Sequence, residues 1–143
     1  MKVYQALKEK KKLISSIVQI TGLINSNNSI QTENEFEFVL TDLLEKRKMK
    51  VKELVKLKLK LAKTALEIQP NIFELSELKL ELQMLRNIDT KQGVGTSGYS
   101  DNVITKKVQL SKVEIIKMTE HVIEKIDNTQ SKIDEFNYSQ ELL

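Results

Sequence analysis

Apolar residues recur at alternating steps of three and four along nearly the whole chain, and that spacing dictates long helices that other helices must cover. The last stretch shows it most plainly: Ile115, Thr119, Val122, Ile126, Thr129, Ile133 and Phe136 follow one another by 4-3-4-3-4-3. Such a step stays close to the helical turn of about 3.6 residues, so these positions fall on one narrow seam. The chain opens in the same way, with Val3, Leu7, Ile14, Ile17, Thr21 and Ile24, and with Lys10 as one polar lapse.

A chain of 143 residues suits one domain, which need not be globular if it is an elongated bundle. With 40% apolar, 30% charged and 5% aromatic residues, one Pro and no Trp, the composition is that of coiled coils. A core drawn from it is narrow and aliphatic, so much of the stability is expected from contacts with other subunits. Cysteine is absent, which excludes disulfides, thiolate metal sites and cysteine nucleophiles. The single His excludes a multi-histidine zinc site.

Lys8 to Lys12 precede a charge-free run from Leu13 to Ile24 that superficially imitates a signal peptide. The run carries Ser15, Ser16, Gln19 and Thr21, lacks a small-x-small cleavage site and is too short to span a bilayer. It reads as an amphipathic helix of a cytoplasmic protein, with a membrane partner disfavoured.

The net charge of +3 hides strong segregation. Residues 1–31 carry about +4, 32–45 about −5, 46–63 about +8, 64–90 about −3 and 91–143 about −1. Opposite blocks in a small chain point first to pairing within or between subunits, and second to nucleic acid. Lys outnumbers Arg by 21 to 2, which weakens the case for phosphate recognition by planar guanidinium groups.

The pattern predicts four helices, at about 2–24, 33–67, 73–88 and 111–139, joined into an antiparallel coiled-coil or four-helix bundle. Asn25 to Ser29 prefer turns and should end the first helix. Thr32-Glu33-Asn34-Glu35 fits a capping box for the second, whose seam runs Phe36, Leu40, Leu43, Arg47, Val51, Leu54, Leu57, Leu61 and Ile68. Leu57-Lys58-Leu59-Lys60-Leu61 alternates like a strand, but its flanks and composition favour helix. Gln69-Pro70-Asn71 should stop that helix and turn the chain into an antiparallel hairpin, with Lys63 near Glu77 and Lys60 near Glu81. The third helix then turns Leu75, Leu78, Leu82, Leu85 and Ile88 inward. Residues 89–102 hold three of the four glycines and read as a flexible loop. An extended, β-prone arm follows at 103–108. Ser111-Lys112-Val113-Glu114 is a capping box that starts the last helix.

Several of these segments together resemble the septicolysin-like family of small bacterial helical proteins. The resemblance rests on the opening Lys2-Val3-Tyr4-Gln5-Ala6-Leu7, the link from Asn25 through Ile30-Gln31-Thr32-Glu33, and the third helix from Leu75 to Leu85. Tyr99-Ser100 with the extended stretch after it also matches, as does the closing Ile133-Asp134-Glu135-Phe136-Asn137-Tyr138-Ser139-Gln140-Glu141-Leu142. The chain departs from the family in carrying Thr-Glu-Asn-Glu where a Gly-Pro link is usual, and in lacking charged residues before Tyr99. The resemblance implies an all-helical, self-associating protein of unassigned function; the family name alone raises a membrane-active, cytolysin-like role.

Four features could carry chemistry. His121 is a lone base with Glu120, Glu124 and Lys117 near it, and reads as a solvated flank of the last seam. Glu74, Glu77 and Glu81 share a helix face that could hold a divalent ion, but pairing with a lysine-rich neighbour is the simpler reading. Lys52, Lys56, Lys60 and Lys63 form one stripe that could track phosphates, although no aromatic stacks among them. Gly93-Val94-Gly95-Thr96-Ser97-Gly98 superficially imitates a phosphate loop without the strand before it or the helix directly after it. Tyr99, Val103, Ile104 and Val108 give the segment apolar anchors, so it is expected to dock on another subunit or pair with the same segment of a neighbour as a β-ribbon.

The sequence therefore predicts a non-enzymatic, self-associating structural or interaction protein with no catalytic residue, metal or cofactor, whose partner is itself. A nucleic-acid-binding accessory protein using the lysine stripe is the second reading, and membrane lysis the third.

Overall fold

A computed structural model describes residues 1–96 and 103–143. It is mostly helical, with α1 at Val3–Asn27, α2 at Leu40–Thr64, a 3-10 turn at Ala65–Glu67, α3 at Gln69–Arg86 and α4 at Lys112–Ser139. Two short strands, β1 at Gly93–Thr96 and β2 at Val103–Lys106, lie between α3 and α4. The chain divides into two compact units, one of Met1–Ile68 with Asp134–Leu143 and one of Gln69–Ile133.

In the first unit α1 packs against α2. Val3, Ala6 and Leu13 from the start of α1 meet Leu57 and Leu61 from the end of α2, so the two helices run antiparallel. Arg47 near the start of α2 donates from Nε to Thr21 Oγ1 near the end of α1, at 2.9 Å. Each aliphatic side chain taken fully out of water here contributes about 1.5–3 kcal/mol.

The buried line of α1 runs Val3, Ala6, Leu13 and Ile20, with Ile17 and Ile24 half-buried. Of the expected line, Val3, Leu7, Ile17, Thr21 and Ile24 are buried or half-buried and only Ile14 faces solvent, while the buried Ala6, Leu13 and Ile20 were not expected on it. Adjacent residues differ by about 100° around a helix, and 6/7 and 13/14 are both apolar pairs. Ala6 is wholly buried and Leu7 packs half-buried against the same cluster, so α2 covers both positions of the first pair, whereas of the second pair it covers Leu13 and leaves Ile14 exposed.

α1 also runs to Asn27 rather than stopping near Ile24, because Ser26 Oγ and Asn27 Nδ2 donate back to the Gly22 and Leu23 carbonyls, each at 2.8 Å. α2 starts at Leu40, not near Glu33, so Thr32 to Glu35 form no capping box. Asn34 N–H instead donates to the Gln31 carbonyl in a turn. Glu33, Glu35 and Glu37 repel one another there, and Phe36 is exposed, so no burial offsets the cost of nucleating a turn of helix.

Pro70 does not end a helix; it sits in the first turn of α3, where a missing N–H has no intrahelical partner to lose. The stop lies before it, in the 3-10 turn, and Thr64, Ala65 and Ile68 all keep right-handed helical backbone. A reversal at Pro70 was expected, with Lys63 beside Glu77 and Lys60 beside Glu81; all four side chains are exposed.

In the second unit Leu78 and Leu85 of α3 pack on Val122 of α4, with Leu82 and Ile126 beside them. The end of α3 lies by the first turns of α4. α4 starts as its sequence requires: Glu114 N–H donates to Ser111 Oγ at 3.2 Å, and Ser111 N–H donates to Glu114 Oε2 at 2.8 Å. The whole expected seam of α4, from Ile115 to Phe136, is buried or half-buried.

The glycine segment is not wholly a loop. β1 and β2 pair antiparallel within the chain, Gly93 opposite Lys106, Val94 opposite Thr105, Gly95 opposite Ile104 and Thr96 opposite Val103. Gly93 adopts φ +96°, a left-handed angle that other residues rarely take. The extended arm is thus shorter than 103–108, and its strand partner is 93–96 of the same chain.

Candidate functional site

The most tightly built place in the first unit is a clasp between the two ends of the chain. Lys2 and Glu141 form an antiparallel bridge. Val3 N–H donates to the Gln140 carbonyl at 3.0 Å, and Leu142 N–H donates to the Met1 carbonyl at 2.9 Å. Glu141 accepts from the Met1 ammonium at 3.0 Å and from Lys2 Nζ at 2.8 Å. The bonds from Lys2 and from the terminal ammonium hold the Glu141 carboxyl below its usual pKa.

Lys2 Nζ also donates to the Ser139 carbonyl at 2.7 Å, a cation at the negative end of α4. Tyr4 and Tyr138 stack with ring centroids 4.9 Å apart. Leu143 N–H donates to Thr64 Oγ1 at 3.0 Å, tying the tail to the end of α2. Phe136 and Leu142 cover the cluster of Val3, Ala6, Leu13, Leu57 and Leu61. Sequence reasoning missed this clasp. The opening and closing segments behind the family resemblance are the two that meet in it, and their shared Tyr and opposite charges were its only sequence signal.

The lysine stripe is intact. Lys52, Lys56, Lys60 and Lys63 are all exposed on α2, and among the described residues no carboxylate pairs with them. A shallow groove along α1 and α2 brings Glu9 and Glu53 near Lys56 and Lys60. It holds no hydroxyl, thiol or imidazole that a base could activate.

Glu74, Glu77 and Glu81 are exposed on α3, and no group of metal-ligating side chains forms among the described residues. His121 is exposed on α4. Gly93 to Thr96 lie in a strand and present no cradle of amides at a helix start. Of the expected arm, Val103 and Ile104 are exposed strand residues and Val108 is half-buried, while Tyr99 lies outside the described residues. No described helix is long and apolar enough to cross a membrane.

What stands out instead is apolar surface. Val18, Val55, Leu59, Leu66, Phe73 and Val113 are each more than half exposed, at helical positions with no cover among the described residues. Large apolar side chains scattered singly are ordinary, but rows of them along a helix mark interaction faces. Comparison with protein families, curated proteins and solved structures returned no match to this chain.

Proposed function

We propose that this is a non-enzymatic, self-associating helical protein of the cytoplasm, whose helices complete an antiparallel coiled-coil bundle by pairing with further copies. One observation carries the reading: among the described residues no large side chain is fully buried, while large apolar side chains on every helix face solvent. A chain that keeps so little of its apolar surface from water gains most by covering it with like helices. The proposed septicolysin-like membership agrees with such a role. Light scattering at micromolar concentration tests it directly. The expected result is a mass of at least two chains; a monomer with full helicity overturns it.

A second reading is favoured by the unpaired stripe Lys52, Lys56, Lys60 and Lys63. Four cations on one helix face suit the phosphates of a nucleic acid. Binding to labelled duplex DNA that weakens with the logarithm of salt, and falls on Lys56→Ala with Lys60→Ala, would support it; an anisotropy unchanged by protein at low salt would exclude it.

A further inference from the structure

α1 carries a polar row on the face turned away from α2. Tyr4, Lys8 and Lys12 follow one another at steps of four, Ser15 and Gln19 continue the row, and all five are exposed. Gln5 and Glu9 form a shorter pair one step further round the helix. The fold adds an aromatic ring that the sequence places far away: Tyr138 of α4, 66% exposed, lies against Tyr4 with the two rings tilted by 37°. Tyr4, Gln5, Lys8, Glu9 and Lys12 line an open hollow of about 570 Å³.

Three chemistries meet there. The tyrosine pair offers a ring face to a flat, unsaturated group. Lys8 and Lys12 stand about 6 Å apart along the axis, which suits successive phosphates of one strand, and among the described residues no carboxylate pairs with either. Glu9 does not cancel them: it is the one carboxylate of α1, and it also borders the groove that holds Lys56 and Lys60. Gln5 and Glu9 bring an amide and a carboxylate, the groups that read the edge of a base. Gln5 is positioned by the Lys2 N–H, which donates to its Oε1 at 2.8 Å, so its Nε2 hydrogens are what it offers a ligand.

Ring, base-edge groups and paired cations together fit a nucleotide better than the alternatives. A free phosphate makes no use of the rings. A lipid surface asks for an aliphatic row, and the row from Tyr4 to Gln19 has none. In a duplex the bases are stacked on one another and their faces are closed to a tyrosine.

We infer that this face of the first unit binds single-stranded nucleic acid. A base stacks on the Tyr4–Tyr138 pair with its edge toward Gln5 and Glu9, and the flanking phosphates run along Lys8 and Lys12. The inference is independent of self-association. It differs from the lysine-stripe reading in its helix, its use of aromatic rings and its preference for unpaired strands.

The test is fluorescence anisotropy with a labelled mixed-sequence DNA oligonucleotide of about 16 nucleotides, offered single-stranded and as a duplex over a series of salt concentrations. The parent should bind the single strand at least about tenfold more tightly than the duplex. Tyr138→Ala should weaken single-strand binding about fivefold or more, the effect of one lost base stack, while Tyr138→Phe, which keeps the ring, should leave it unchanged. Lys8→Ala with Lys12→Ala should reduce the slope of log K against log salt by about 1.4, as two lost single-strand phosphate contacts require. Circular dichroism of every variant should match the parent.

Absence of single-strand binding at low salt overturns the inference, as does a preference for the duplex. Binding that survives these changes but is lost on Lys56→Ala with Lys60→Ala overturns it while upholding the stripe. Loss on the Lys8 and Lys12 changes with none on Tyr138→Ala would make the face a general polyanion surface and overturn it equally. Single-strand binding that depends on Tyr138 and survives the Lys56 and Lys60 changes, with no duplex bound, upholds this face and removes the stripe.

Discussion

At the ends of the chain a single antiparallel bridge, Lys2 with Glu141, sits on Val3, Ala6, Leu61, Phe136 and Leu142. In the ribbon, four paired positions hold β1 to β2, yet Val94 is 76% exposed and Val103 and Ile104 also face water. The ribbon has more strand pairing and the clasp has more cover. A backbone hydrogen bond exchanged with water contributes only about 0.5–1.5 kcal/mol net, and an isolated two-stranded hairpin is marginal at best. Apolar cover, supplemented at the clasp by charge, separates a fixed junction from a weakly held one.

The sharpest way to break this contrast is to remove the floor of the clasp. Leu61→Ala should cost about 2–5 kcal/mol in urea unfolding, since the cavity is lined by both helices and the tail. A cost under about 0.5 kcal/mol would mean the tail rests on nothing essential.

Next comes the cap at the ribbon's exit. Ser111→Ala should cost about 0.5–2 kcal/mol by leaving the Glu114 N–H without its acceptor, and Glu114→Ala should cost less. An unchanged melting midpoint would show that α4 does not depend on this start.

The ionic part of the clasp is smaller still, because Glu141 is exposed. Its folded pKa is depressed, so its contribution is present above the ordinary carboxylate range and disappears as pH falls through the lowered folded value. Glu141→Gln should therefore lower the melting temperature at pH 7, with the gap to the parent closing in acid. A gap that persists unchanged in acid would assign the effect to something other than charge.

Least of all should come from the ribbon. Val103→Thr replaces one exposed β-branched residue by another and should stay within about 0.5 kcal/mol. Amides of 103–106 should exchange with deuterium far sooner than that of Leu142; equal protection would erase the contrast.

The helices were legible wherever one apolar face was unambiguous. α4 has a single row and a capping box, and both were readable residue by residue. α1 offered two adjacent apolar rows, and the partner helix draws on both, burying Ala6 and Leu13 and half-burying Leu7. The start of α2 misled because a capping box is a local preference, and without burial behind Phe36 it did not nucleate a helix. Pro70 misled because the same residue that ends one helix suits the first turn of another. The clasp joins residues 140 apart, beyond the reach of any periodicity. The alternation from Leu57 to Leu61 resolves into two buried leucines with an exposed Leu59 between them, as a helix requires.

The clasp also bears on which contacts are costly to close during folding. The first unit is discontinuous, with Gln69–Ile133 inserted between its two segments. α1 and α2 are close in sequence and can close their hairpin cheaply, whereas bringing residue 141 back to residue 1 requires closing a loop through everything between. The α1–α2 hairpin is therefore expected to form first, with Val3, Leu57 and Leu61 partly uncovered until residues 134–143 dock, an order that pulsed hydrogen exchange would check. The inserted unit has its own packed helices, α3 with α4, and can fold in that interval.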